Sequence, residues 1–344
     1  MSLQQTIAKL VMKLPGGILV KMAGGAPVTI RDRTLEPQLQ MVAWNGRKAP
    51  PMSSMPAETV QAATKEMLAA VAAPVEPGVG VGDVEIPGPD GNIIPARIYR
   101  PEAQDPKAPL LVYYHMGGGV IGDLDTCHAW CSILADRVKC PVLSVDYRLA
   151  PQHKFPAGLE DCIAAYEWAM RNAARYGAPE GMAAVGGDSM GGNFSAIISQ
   201  EMQREDKPLP VMQLLIYPAI DLAEEFPSRN EFSETFSLSA DTMDWFMKQY
   251  LPEGFDMADR MLSPGQTGTL DGLPPAVVIT AGHDPLSDEG DDYAKRLKAA
   301  GVPVTHKRYD SLAHAFTAFT AISPGSRKAC LEIADMVRAV YEKL

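Results

Sequence analysis

No apolar stretch in this chain of 344 residues approaches the ~20 residues that a membrane-spanning helix needs. The nearest candidate, LVMKLPGGILVKMAGGA, is interrupted by Lys13, Pro15 and Lys21. Its uncharged core, LPGGILV, is short for the apolar region of a secretory signal. It reads instead as an amphipathic segment that caps the domain or touches a membrane surface, with no stable membrane span. Positive charge is also in deficit. Lysine and arginine number 31 against 42 acidic residues, for a formal net charge of −11. Such an acidic surface favours solubility and argues against nucleic acid as a partner. Cysteines are few and odd in number (Cys127, Cys131, Cys140, Cys162, Cys330) and form no paired framework, which leads us to expect a reduced, cytoplasmic setting. Cys127, His128 and Cys131 lie close together, but no second ligand pair follows. They read as buried helix residues, and no metal or organic cofactor is called for.

What is present is a large apolar fraction, 46%, enough for one large domain or a domain with an added cap. The helix SSMPAETVQAATKEMLAAVAAP has Ser53 or Ser54 as candidate cap and Pro74 as its stop. VGDVEIP and IIPARIYR flank the turn signal GPDGN, as in a hairpin. Strand and helix patterns then alternate. PLLVYYH, PVLSVDY, MAAVGG, PVMQLLIYP, PPAVVITAG and VPVTHKRY read as strands, and the segments between most of them read as helices. With the hairpin this makes eight strands in a mostly parallel α/β sheet with helices on both faces. Residues 220–262 break the rhythm between the sixth and seventh strands. Their aromatic-rich FSETFSLSADTMDWFMKQYLPEGF reads as an insertion over the strand ends.

The tightest chemical signal is GGDSMGG. Gly187-Asp188-Ser189-Met190-Gly191 matches G-x-S-x-G, and it follows an apolar strand and opens a helix, the context that a nucleophile elbow requires. A serine needs a base to take its proton, and only six histidines compete. His306 lies inside the last strand, whereas His314 in DSLAHAF lies just past its end, where catalytic groups gather in α/β sheets. The base needs an orienting acid. Asp284 in AGHDPLSDEG stands immediately after the seventh strand, while Asp288 and Glu289 fall within the following helix. The resulting order Ser189, Asp284, His314 is that of α/β-hydrolases. An oxyanion would need donors from the Met190 N–H and from the loop after the third strand, YYHMGGGVIGD.

With these pieces in place, the chain resembles the bacterial hormone-sensitive-lipase-like carboxylesterases, the HGGG or family IV esterases of the α/β-hydrolase superfamily. The resemblance rests on HMGGG, DYRLAPQHKFPAGLEDC, GGDSMGG, LIYPAIDL, FSLSADTMDWFMKQYL, LPPAVVITAGHDPLSDEG and LAHAF, running in family order from about Val81 to Phe319. It implies an α/β-hydrolase fold with a helical cap. The cap would comprise residues 1–55 and the insertion 220–262, and the catalytic core residues 56–219 and 263–344. It also implies hydrolysis of short- to medium-chain acyl esters through an acyl-enzyme on Ser189, with His314 and Asp284. Gly117 and Gly118 supply oxyanion N–H groups beside Met190, and His115 anchors the loop.

The sequence departs from the family pattern in two places. Met116 stands where the family has its first glycine, and so needs an ordinary backbone φ. Gly119 replaces an aromatic, which predicts an enlarged or reshaped pocket. The expected substrate contacts are Met116, Gly119, Asp188, Phe232 and Trp245, with Phe236 and Phe246 as further candidates for pocket or cap core. The same triad would serve an amidase or a lactonase, and a receptor related to this fold would lack the working histidine. The resemblance also makes a homodimer plausible, through the last strand and helix.

Overall fold

The structure is a computed structural model that describes residues 9–344; residues 1–8 of the expected N-terminal cap segment lie outside them. Its strands are β1 (Thr29–Ile30), β2 (Arg33–Thr34), β3 (Val79–Pro87), β4 (Ile93–Pro101), β5 (Leu110–Tyr114), β6 (Val142–Val145), β7 (Ala183–Asp188), β8 (Gln213–Ile216), β9 (Ala276–His283) and β10 (Val304–Ala313). Eight of these form one sheet in the order β10-β9-β8-β7-β5-β6-β4-β3. Only the pairs β3–β4 and β4–β6 are antiparallel. The GPDGN turn joins β3 to β4, with Gly91 at φ +78°, a conformation that glycine adopts without a Cβ penalty.

Alternate side chains of β5 show why the central strands carry unbroken apolar runs. Leu110, Val112 and Tyr114 pack in one core with Leu159, Cys162 and Phe194. Leu111 and Tyr113 pack in the opposite core with Trp130, Leu134 and Ile333. Helices Ala157–Asn172 and Met190–Arg204 therefore cover one face, and His128–Val138 and Pro324–Tyr341 the other. Each fully buried large apolar side chain is worth roughly 1.5–3 kcal/mol. Buried polar tips are also matched: Trp130 Nε1 donates to Tyr113 Oη at 2.9 Å.

The N-terminal third differs from expectation in detail. Ser53 and Ser54 sit in a short 3-10 turn, and neither caps the helix, which begins at Ala57 after Pro56 and ends at Val71. Ser53 Oγ instead donates to Asp241 across the chain, and Ser54 Oγ to Pro51 O. The small hairpin β1–β2 carried no apolar alternation to announce it. Its turn residues Arg31 and Asp32 both have positive φ. Arg31 donates two hydrogen bonds to Asp288, at 2.7 and 2.9 Å, and also reaches Glu231. One guanidinium thus ties the N-terminal segment to the 220–262 insertion and to the helix Ser287–Ala299. Within the insertion, the helix Ala240–Tyr250 is capped by Ser239, whose Oγ accepts from the Thr242 N–H.

Candidate active site

The turn from β7 into the helix Met190–Arg204 holds Ser189 at φ +56°, ψ −115°, a strained backbone for a residue with a side chain. Its tightness demands glycine on both sides. A Cβ on Gly191 would lie 1.9 Å from the Tyr114 carbonyl oxygen, and one on Gly187 would lie 2.3 Å from the Gly191 carbonyl carbon. Ser189 is held in place by its N–H, which donates to Ile216 O at 2.9 Å.

Two loops beyond parallel strand ends meet it. His314 follows β10 and Asp284 follows β9. His314 Nδ1 lies 2.8 Å from Asp284 Oδ2, and His314 Nε2 lies 2.9 Å from Ser189 Oγ. A carboxylate can only accept, so Nδ1 carries the proton and the free lone pair on Nε2 faces the serine hydroxyl. Asp284 is fully buried, and its other oxygen accepts from the Leu286 N–H at 2.8 Å. The neighbouring acids are committed elsewhere. Asp288 holds Arg31, and Glu289 accepts from the Ile220 N–H and from Arg229. His306 is likewise taken, 2.9 Å from Asp291.

The glycine loop after β5 passes alongside. Gly117, Gly118 and Gly119 all have positive φ, whereas Met116 does not. At Gly117, with φ +127°, a Cβ would lie 1.9 Å from Ile121 O, so no other residue fits. The N–H groups of Gly117 and Gly118 donate to no acceptor among the described residues. Met190 is the first residue of its helix, and its N–H has no intrahelical acceptor. His115 is wholly buried at the base of this loop. Its Nδ1 donates to Met116 O at 2.7 Å, its carbonyl accepts from Tyr147 Oη at 2.7 Å, and its ring stacks on Tyr147. Burial pushes its pKa down, so the imidazole stays neutral.

A cavity of about 690 Å³ opens over Ser189 and His314. Met116, Gly117, Gly118 and Met190 line its floor. Phe236, Leu238, Met243, Phe246 and Met247 form one wall, and Val60, Thr64, Met67 and Leu68 of the helix Ala57–Val71 another. Four expected contacts lie outside this lining. Asp188 is buried beneath the elbow, where Tyr217 Oη and Thr317 Oγ1 each donate to Oδ2 at 2.9 Å, and burial raises its carboxyl pKa. Phe232 is fully buried against His283 and Arg31. Trp245 packs beside Phe246 within the helix Ala240–Tyr250. Gly119 does not widen the pocket as expected, because the ring of Tyr250 takes the space: a Cβ on Gly119 would lie 2.5 Å from Tyr250 Cε2. The wall from Ala57–Val71 was missed. Its signal was the apolar spacing Val60, Met67, Leu68 and Val71 on one helical face.

Of Cys127, His128 and Cys131, the two thiols lie together in the core while His128 turns to Tyr99. Cys127 Sγ meets Ser144 Oγ, and His128 Nδ1 meets Tyr99 Oη at 2.7 Å. All five cysteines are buried and free. Among the described residues, no helix is long and apolar enough to cross a membrane.

A family model described as alpha/beta hydrolase fold matches residues 111–318. The chain is 41% identical over 326 residues to carboxylic ester hydrolase LipN of Mycobacterium tuberculosis, covering 92% of this chain and 86% of that protein. It is 40% identical over 241 residues to carboxylesterase NlhH of the same species, covering 69% and 75%. Among solved structures, the ester-hydrolase EH1AB1 from the metagenome of Lake Arreo, in complex with a bipyridine phosphonate derivative, superposes with a TM-score of 0.84 at 38% identity. That match covers 89% of this chain and 98% of that one.

Proposed function

The chain belongs to the alpha/beta hydrolase fold family and is a carboxylic ester hydrolase, and from that premise we propose that it works by acyl transfer through Ser189, His314 and Asp284. His314 takes the Ser189 proton as Oγ attacks the ester carbonyl. The N–H groups of Gly117, Gly118 and Met190 receive the developing oxyanion. His314 then protonates the leaving alcohol, and the same base activates water to release the acyl group. Asp284 keeps the imidazole in the required tautomer and stabilises its cation. The observation that carries this reading is the continuous Ser189–His314–Asp284 hydrogen-bond chain at the floor of an apolar cavity.

The substrates are short- to medium-chain acyl esters. An apolar space of about 690 Å³ supports this, since it accommodates an acyl chain and an alcohol together. Of the described residues, 9–55 together with 220–262 act as the cap. The working compartment is the cytoplasm, a reading supported by five unpaired, buried thiols. A homodimer through β10 and the helix Pro324–Tyr341 is supported by the place of β10 at one sheet edge.

The test is turnover of p-nitrophenyl esters of graded acyl length. Ser189→Ala and His314→Ala are expected to lose roughly 10⁴–10⁶-fold in kcat. A Ser189→Ala protein that keeps its turnover sinks the assignment.

A further inference from the structure

We propose that the face built from residues 9–48 docks on an anionic membrane surface and takes apolar esters from it into the cavity. The delivery step rests on the ester-hydrolase reading. The first observation is charge. Residues 9–48 carry seven lysines and arginines against two acidic residues, in a chain whose net charge is −11; Arg31 and Arg33 are paired with Glu231, Asp288 and Asp310 from outside the segment, so the attraction falls to the remaining cations, Lys13, Lys21 and Lys48 among them. An anionic surface repels the rest of the molecule and attracts this segment, so charge alone orients the approach. The second observation is apolar exposure within the same segment. Leu10 is 58% exposed, Ile18 44%, Met22 46% and Trp44 39%. Isolated exposed apolar residues are ordinary. Four of them among lysines make the pattern of an interfacial anchor, in which aromatic and aliphatic groups enter the headgroup region and cations meet lipid phosphates.

The patch is rigidly mounted and continuous with the cavity mouth. Leu19, Ala23 and Met41 are buried beneath it. A Cβ on Gly24 would lie 3.2 Å from the Trp44 ring, and Lys48 Nζ sits 5.8 Å from that ring's centroid. Lys13, Lys21 and Lys48 form no ion pair with a carboxylate among the described residues. Directly after Trp44, the exposed residues Arg47, Ala49 and Pro50 are part of the cavity lining. A surface seated on Ile18, Met22 and Trp44 therefore lies at the cavity entrance.

The experiment is co-flotation of the full chain with vesicles of phosphatidylcholine alone or mixed with phosphatidylglycerol. Binding is expected to the anionic vesicles only, and to weaken as salt rises. The double variant Lys21→Gln/Lys48→Gln is expected to lose roughly 30-fold in partition constant, about fivefold per lysine. Ile18→Asp is expected to lose more than about tenfold. Both variants should keep kcat/KM on soluble p-nitrophenyl butyrate, because Ile18, Lys21 and Lys48 are not themselves among the residues that line the cavity. Three results overturn the proposal: no binding to anionic vesicles at low salt, equal binding by the variants, or a dimer that Ile18→Asp converts to monomer without any vesicle binding. If no ester is hydrolysed, the functional reading fails, while flotation still decides the docking.

Discussion

Gly119→Ala is the substitution on which the sequence-based and structural accounts of the glycine loop part most sharply. As the replacement for an aromatic, Gly119 was expected to widen the pocket, which makes a small added methyl a matter of selectivity. In the structure it is a matter of packing. Gly119 has φ +72°, where an L-residue costs roughly 1–2 kcal/mol. The new Cβ would lie 2.5 Å from Tyr250 Cε2, when carbon contacts prefer about 3.5–4.0 Å. The buried ring, edge-on to Phe155, must move by about 1 Å, which adds roughly 1–3 kcal/mol. The sum is about 2–5 kcal/mol, read as a lowered midpoint in urea unfolding. Tyr250→Ala alone should cost about 3–5 kcal/mol as a large-to-small change. In the double variant the steric part disappears, which leaves a favourable coupling of about 1–3 kcal/mol. Additivity within about 0.5 kcal/mol refutes the contact. Unchanged stability together with a shifted preference between small and bulky esters restores the pocket-widening account.

Asp284→Asn is expected to lower kcat by roughly 10⁴-fold, because an amide no longer enforces the histidine tautomer. Asp288→Asn should stay within a few-fold, since that carboxylate holds Arg31; equal losses in p-nitrophenyl ester hydrolysis would overturn the assignment of the acid. His283 is buried with no side-chain partner for either ring nitrogen among the described residues, and burial pushes its pKa down to about 4. Its folded pKa lies below the unfolded one, so it costs nothing above pH 6.5 and stability falls as pH drops from about 6.5 towards 4, by at most about 3 kcal/mol. Thermal melts of His283→Phe should lack that acid-side loss, and an unchanged acid limb would exclude His283 as its source. Burial also pushes Glu289 up to about 7, against its partner Arg229. Arg229→Met leaves that buried carboxylate unpaired, at a cost of about 3–5 kcal/mol at pH 8. The deficit should shrink towards pH 6 as Glu289 takes up a proton, and a pH-independent deficit in urea unfolding would refute the account.

The serine, acid and histidine that the structure brings into hydrogen-bond contact were legible because each carries a local signature. Ser189 sits in a turn that only glycines permit, Asp284 stands one residue past the buried strand β9, and His314 one residue past the edge strand β10. The sheet was legible for the same reason, as unbroken apolar runs admit few placements. The pocket wall was not. Trp245 and Phe246 are neighbours in one helix, and which of them faces the cavity depends on the rotation of that helix over the core. That rotation is set by contacts between segments far apart in the chain. Ser53 meets Asp241 across 188 residues, and Arg31 meets Asp288 across 257. Charge and spacing announce neither pair. Gly119 failed for a related reason, since the family pattern reports which side chain is missing but not which neighbour fills the gap.

That neighbour joins parts of the enzyme that a sequence reading treats separately. The helix Ala240–Tyr250 supplies cavity wall through Met243, Phe246 and Met247, and it also carries the rings that press on the glycine loop. A Cβ on Gly118 would lie 2.5 Å from the Phe246 ring, just as one on Gly119 would meet Tyr250. Phe246 and Tyr250 are one helical turn apart, so a single helix face supports two consecutive residues of the loop. Met243 and Met247 line the same cavity. Phe246 therefore both lines the cavity and supports the loop. Gly118 and Gly119 have no room for a side chain because the helix Ala240–Tyr250 lies directly against their backbone, whereas Gly117 is crowded from within the loop by Ile121 O.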